Sequence, residues 1–223
     1  MEKVQVKFGD WIENGFNLYK ANFGVLVVAS LIAVLLGTVT FGILAGPMMA
    51  GILMITLQLV DKKKPAPTAS TVFKGFDYFL NALLFVVVWG AIIMFAAFLL
   101  GLVPCLGQLA AICLIYAAQA FLMFGMFLIV DKKMDFWPAS MESINIVKGN
   151  FWPFLGFAVV TAIIGSIGGI ACGIGIIFTI PIQVCSLAIA YREIFDGVVA
   201  SGHPDDSAPE GEPPDNEPIH PAR

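Results

Sequence analysis

The 28 charged side chains of this sequence stand almost wholly outside its three long apolar runs, and that segregation limits the fold more than any other feature. The runs are Phe23 to Val60, Phe79 to Val130 and Phe151 to Phe195. Only Arg192 and Glu193, at the far end of the last, fall inside one. At about 20 residues per crossing, each run is long enough to traverse a bilayer and return. Every charged segment then ends on the same side. The expected fold class is all-α integral membrane: six transmembrane helices as three hairpin repeats, with amphipathic interfacial helices and both termini on one face.

Composition agrees with lipid as the main solvent. Apolar residues make up 59% of the chain and charged residues 13%, against about 25% charged in a soluble domain. The length of 223 residues leaves room for one membrane domain and a short tail. The net charge of -4 divides unevenly. Asp205, Asp206, Glu210, Glu212, Asp215 and Glu217 lie in the last stretch, 197–223, with one Arg, and residues 1–196 are close to neutral. That stretch is rich in Pro and acids from Ser201 on. It carries no aromatic residue there, so it cannot bury enough apolar surface to offset its chain entropy, and a disordered tail is expected.

The lysines orient the chain. Lys3, Lys7 and Lys20 precede the first span. Lys62, Lys63, Lys64 and Lys74 crowd the first charged loop, and Lys132, Lys133 and Lys148 the second. The opposite turns hold no basic residue. By the positive-inside rule both termini and both charged loops face the cytoplasm, in a bacterial inner membrane. The amphipathic opening before a long apolar run does not have the form of a cleavable signal peptide.

The same unit is legible three times, over about 8–61, 70–131 and 136–196. Each copy opens with an amphipathic segment, enters an apolar hairpin and stops at an Asp: Asp61, Asp131 or Asp196. Gly15-Phe16-Asn17-Leu18-Tyr19 matches Gly75-Phe76-Asp77-Tyr78-Phe79, and Lys20-Ala21-Asn22-Phe23 matches Lys148-Gly149-Asn150-Phe151. The opening segments place Phe8, Trp11, Ile12, Phe16 and Tyr19, or Trp137, Met141, Ile144 and Val147, on one helical stripe. Such segments either lie in the headgroup layer or extend the spans; periodicity does not separate the two. Six spans follow, at about 23–41, 43–60, 79–102, 105–130, 151–171 and 174–195, joined by Gly- and Pro-rich turns.

Small residues at intervals of four, Gly42 with Gly46 and Gly165 with Gly169 and Gly173, are expected to serve close helix packing, within the chain or in a homo-oligomer. A substrate-lining unwound segment around 165–175 is the sharper alternative. Polar residues in the spans are uncharged. Most read as interhelical glue, while Tyr116, Gln119 and Gln183 are the candidates for a neutral polar path. The three terminal Asp residues each oppose a helix macrodipole. They read first as stop-transfer markers. The alternative is that threefold-like packing gathers Asp61, Asp131 and Asp196 with Arg192 into a cytoplasmic ring that binds a cation or a partner.

Catalytic and cofactor constellations are not legible. Both histidines, His203 and His220, lie in the tail, so the membrane domain has no HExxH site and no Ser-His or Cys-His pair. No cofactor, metal site or nucleic-acid partner is expected. Of the four cysteines, Cys113 and Cys185 read as apolar packing residues. Cys105 and Cys172 fall near outward turns, and the sequence leaves open whether they pair.

The closing run Ile180-Pro181-Ile182-Gln183-Val184-Cys185-Ser186-Leu187-Ala188-Ile189-Ala190-Tyr191-Arg192-Glu193-Ile194-Phe195 resembles the end of a broad group of uncharacterised bacterial membrane proteins. Those are similar to the membrane-embedded domain that accompanies some glycerophosphodiester phosphodiesterases. The resemblance implies a multi-pass layout and no activity, because the phosphodiesterase site belongs to a soluble barrel that this chain lacks. The functional expectation is a non-enzymatic membrane adaptor or lipid-environment protein, with the bilayer and a cytoplasmic protein, met through the acidic tail, as partners. A transport or lipid-handling protein with a neutral polar path is the alternative, and an intramembrane enzyme ranks third.

Overall fold

A computed structural model describes residues 7–170 and 175–202. Of the tail expected over 197–223, residues 197–202 instead continue the last helix, and the rest, from His203 on, lies outside the described residues together with Cys172 and Gly173. The described residues are helical throughout, in the order α1 (Phe8–Ala21), α2 (Phe23–Val39), α3 (Ala45–Val60), a 3-10 helix (Ala69–Tyr78), α4 (Phe79–Gly101), α5 (Leu106–Leu122), α6 (Gly125–Asp131), α7 (Phe136–Gly149), α8 (Phe151–Ile170) and α9 (Ile176–Gly202).

Three of these stretches are long and apolar enough to cross a membrane: Ala69–Gly101, Leu106–Asp131 and Ile176–Asp196. Two further helix pairs qualify only together, and each is sharply bent. The bend is 91° between α1 and α2 and 112° between α7 and α8, so the total is up to five. At 16 residues, or about 24 Å, α3 falls short of the roughly 30 Å hydrocarbon core. The apolar runs therefore yield several membrane-length helices, but not six straight and equal ones.

The bends follow the sequence. Both fall at an Asn in the same setting, Lys20-Ala21-Asn22-Phe23 and Lys148-Gly149-Asn150-Phe151. Asn22 has φ -125° and ψ 27°, and Asn150 φ -143° and ψ 53°, outside the helical basin. At the end of α1 the Asn22 side chain donates to the carbonyl of Leu18 at 3.1 Å, beside the Asn22 backbone N–H, which donates to the same carbonyl at 3.2 Å. The middle segment has Ala82 at the corresponding place, inside α4, and there the 3-10 helix runs into its span without an elbow. The two readings left open for the amphipathic segments thus divide between them. The first and third turn away from their spans, and the second extends one.

Each amphipathic segment packs against the last helix of an apolar hairpin: α1 on α9, the 3-10 helix on α3, and α7 on α6. Small residues make these approaches close. A Cβ on Gly15 would collide with Ser186, and one on Gly51 with the Val72 carbonyl. One on Gly75 would strike the Pro47 carbonyl and the Gly51 nitrogen. Ser143 takes the comparable place on α7. Its hydroxyl donates to the Phe121 carbonyl at 2.6 Å and accepts from the Phe124 N–H at 3.3 Å, which occupies the break between α5 and α6. Gly51, Phe121 and Ser186 each stand ten residues before the Asp that closes the apolar run. The three contacts share one register.

Elsewhere the expected glycine stripes separate into distinct uses. Gly46 presses on the Ala82 carbonyl and Gly165 on the side chain of Gln183. Gly42 has φ +87° and open space around it, so it serves the turn after α2 rather than helix packing. Gly169 closes α8 one residue before its end. The free cysteines include Cys105 and Cys113, both exposed, and Cys185, which is buried.

Replacing Gly51 or Gly75 by Val should cost about 1–3 kcal/mol or more, because the new side chain meets backbone that cannot yield. Loss of a monodisperse thermal transition in detergent checks this. Gly90→Ala, placed mid-helix with nothing within 4 Å, should leave the melting temperature unchanged or raise it.

Candidate functional site

The helices that carry Asp61, Asp131 and Asp196 bring all three acids to Arg192. Arg192 Nη1 donates to Asp131 Oδ2 at 2.8 Å and Nη2 to Asp131 Oδ1 at 2.9 Å, a two-pronged pair along one edge of the guanidinium. The neighbouring edge faces Asp61, with Nη2 donating to Oδ2 at 2.9 Å and Nε 2.9 Å from Oδ1. The Nε contact is an ion pair without hydrogen-bond alignment. Asp196, one turn further along α9, stands 4.0 Å from Nη1 and remains 68% exposed, while the Arg192 side chain is only 16% exposed. Lys63 adds a contact of 3.5 Å to Asp61.

One residue earlier, Tyr191 donates its hydroxyl to Asp131 Oδ2 at 2.9 Å. Its ring lies in a buried aromatic cluster: 5.2 Å from Phe127, 4.5 Å from Phe195 and 6.3 Å from Phe124. The charged group therefore sits on a closed apolar plug made by α6 and α9. A guanidinium fits here where an ammonium would not, because it meets two carboxylates along two edges at once.

A second tie lies beside it. The Trp11 indole is fully buried against Phe157, with centroids 5.2 Å apart, and its Nε1 donates to Glu193 Oε2 at 2.6 Å. Lys7 reaches the other oxygen of Glu193 at 2.8 Å. Glu193 thus supplies the acceptor that makes burial of this indole tolerable, and fastens α1 to α9. Hydrogen bonding to Glu193 raises the Lys7 ammonium above its ordinary value. A raised cation stabilises the fold below the unfolded lysine range and loses that contribution as pH climbs from there through its raised folded value.

The residues proposed from sequence for a polar path are not joined. Gln183 on α9 packs against Gly165 of α8, while Tyr116 and Gln119 lie on α5, with Gln119 exposed. No hydrogen bond links them among the described residues. Other polar side chains in the bundle pair within it: Trp89 donates to Ser140 at 2.8 Å, Ser140 to the Phe136 carbonyl at 2.6 Å, and Thr179 to the Gly165 carbonyl at 2.9 Å, while the buried Ser30 hydroxyl has no hydrogen-bond partner among the described residues. An apolar groove of about 270 Å³ runs between α2 and α3, lined by Ala33, Gly37, Met48, Met49 and Ile180 among others. The hydroxyl of Thr38 in its wall is turned back to the Val34 carbonyl at 2.7 Å. Among the described residues, no group of three or more His, Cys, Asp or Glu is placed to hold a metal ion.

Sequence reasoning missed the Glu193–Trp11–Lys7 tie and the insertion of Ser143 between α5 and α6. Both join residues remote in sequence, and no local spacing announces them. The chain matches no protein-family model, no curated protein and no solved structure.

Arg192→Gln leaves two partly buried carboxylates facing each other without a cation. The expected cost is about 2–3 kcal/mol, between the values for exposed and fully buried pairs. Arg192→Lys should recover only part of it. Thermal unfolding of the three proteins in one detergent checks the order wild type, Lys, Gln.

Proposed function

We propose that this chain is a non-enzymatic multi-pass inner-membrane protein built as three copies of one hairpin unit. Its cytoplasmic face serves as a docking platform for a protein partner. The observation that supports this best is the joining of the three terminal acids at one arginine, above a filled aromatic plug. A transporter that used the space between these helix ends would need a polar way through it. Phe124, Phe127, Tyr191 and Phe195 occupy that space with buried rings. What stays open to solvent is Asp196, the acid that Arg192 engages least.

The shared register of the Gly15–Ser186, Gly75–Gly51 and Ser143–Phe121 contacts supports the reading of three units. Each opening segment rests on the last helix of the preceding unit, and α1 on α9 closes the circle. The resemblance to bacterial membrane proteins related to phosphodiesterase membrane domains is consistent with this layout and contributes no activity.

A lipid-handling role is the second reading, and the groove between α2 and α3 is the observation in its favour. Native mass spectrometry of the full chain in a native membrane patch separates the two. A bound protein lost in Asp196→Asn supports the platform; that variant leaves the Arg192 pairs with Asp61 and Asp131 in place. A stoichiometric lipid or solute with no protein, lost in Gly37→Leu, overturns it in favour of lipid handling.

Orientation has its own test in a native residue. Cys105 is exposed in the turn at the end of α4 opposite the charged loops. With the charged loops cytoplasmic, a membrane-impermeant maleimide should label Cys105 from outside intact spheroplasts, and the labelling should fall in Cys105→Ser. Labelling of Cys105 only after permeabilisation would invert the topology.

A further inference from the structure

The two elbows share a surface that the docking platform does not use. At the first, Lys20 lies over the ring of Phe16, 4.5 Å from its centroid. From there an aromatic strip runs through Tyr19, Phe23 and Phe178, with successive centroids 6.4, 5.4 and 6.2 Å apart. Phe16, Phe23 and Phe178 are all exposed, at 42%, 47% and 41%. At the second elbow Lys148 is exposed. Phe151 stacks on Phe121 at 5.1 Å, and Trp152 stands edge-on to Phe151 with 77% of its surface free.

We infer that each elbow binds an anionic phospholipid, with Lys20 or Lys148 on the headgroup phosphate and the adjoining exposed rings against the glycerol and upper acyl chains. Charge complementarity selects this occupant. Along the described helix leading into each bend the lysine is the nearest charged residue, and the nearest acids on the same helix, Glu13 and Glu142, lie seven and six residues back, or about 9–10 Å. Exposed aromatic rings beside a cation are the composition that settles at the level of lipid headgroups. The elbow itself supplies the geometry, since the chain turns by 91° or 112° two residues after the lysine and sets the cation beside the rings that open the next helix. The middle segment provides an internal contrast. It has no elbow, and Leu80 stands where Lys20 and Lys148 do.

This inference rests on the membrane-spanning reading but not on the platform or its orientation. The test uses the full chain in vesicles of equal phosphatidylglycerol and phosphatidylcholine. Spin-labelled forms of each lipid report the motionally restricted fraction at low and at high salt. Wild type should favour phosphatidylglycerol by about fivefold per elbow lysine at low salt, the scale of one basic residue at an anionic surface. Lys20→Gln with Lys148→Gln should bring the ratio to near parity. Lys62→Gln with Lys64→Gln, in the first charged loop, should leave most of it.

All four side chains are exposed, so the melting temperature should stay within error in every variant. The inference is overturned if the elbow double variant keeps the wild-type ratio, if the loop variant abolishes it, or if wild type shows no preference. Failure of the membrane reading has a different signature: the chain would be stripped from the vesicles at alkaline pH, and no restricted lipid of either kind would be seen.

Discussion

The guanidinium of Arg192 is the interaction on which the charged end of this protein depends. Two helices end there at an acid, Asp61 after α3 and Asp131 closing α6, and an acid at a helix C-terminus opposes the macrodipole; Asp196, expected to do the same, lies inside α9, which runs on to Gly202. Left alone, Asp61, Asp131 and Asp196 would repel one another, and the first two would also repel the carbonyl ends of their own helices. One cation bound to Asp61 and Asp131 by close contacts turns that repulsion into the joint that gathers α3, α6 and α9. The strength of the joint lies in its surroundings. With its two side chains 16% and 23% exposed, the Arg192–Asp131 pair is screened less than the surface contact of Lys7 with Glu193, whose two side chains are 50% and 40% exposed.

Below that joint the helices hold together by closeness rather than by polar bonds. Lipid is as apolar as a leucine side chain, so burying one gains little inside a bilayer, and association must come from packing and from satisfied polar groups. The glycines provide the first. Gly51 and Gly75 bring two segments so near that backbone touches backbone, and Gly15 does the same against Ser186. Ser143 provides the second, by entering the gap between α5 and α6 and satisfying an N–H and a carbonyl that the interrupted helix leaves open. Glycine and serine solve the same steric problem at matching positions. The serine is tolerated where the helix has broken to make room for it.

Much of this was legible in the residues, and the parts that were not have physical reasons. Helix content and approximate ends follow from the charge segregation: α4 ends at Gly101 and α9 begins at Ile176, where the apolar runs meet Gly- and Pro-rich turns. The gathering of Asp61, Asp131 and Asp196 was legible because each acid closes its run at the same place. The elbows were marked by the repeated Lys-x-Asn-Phe, but no local pattern gives an angle of 91° or 112°. The 3-10 geometry of Ala69–Tyr78 and the break after Leu122 were not legible. Both lie against neighbours remote in sequence, the first against Gly51 and Pro47 and the second against Ser143, which local spacing does not reveal.

A frame of matched contacts served by one arginine has a consequence for where function can reside. Leu57 and Phe127 occupy the positions on α3 and α6 that Arg192 occupies on α9, one turn before the terminal acid. Three arginines at one point would repel, and none would leave three uncompensated carboxylates. Arg192, with Lys63 at 3.5 Å from Asp61, leaves the three acids one negative charge in excess, and the geometry decides which acid carries it. Asp61 and Asp131 are held on two edges of the guanidinium, so the surplus falls on Asp196, at 4.0 Å and largely exposed. The same asymmetry that joins the helices therefore leaves one chemically distinct position on an otherwise matched face. That position lies on α9, six residues before the end of the helix.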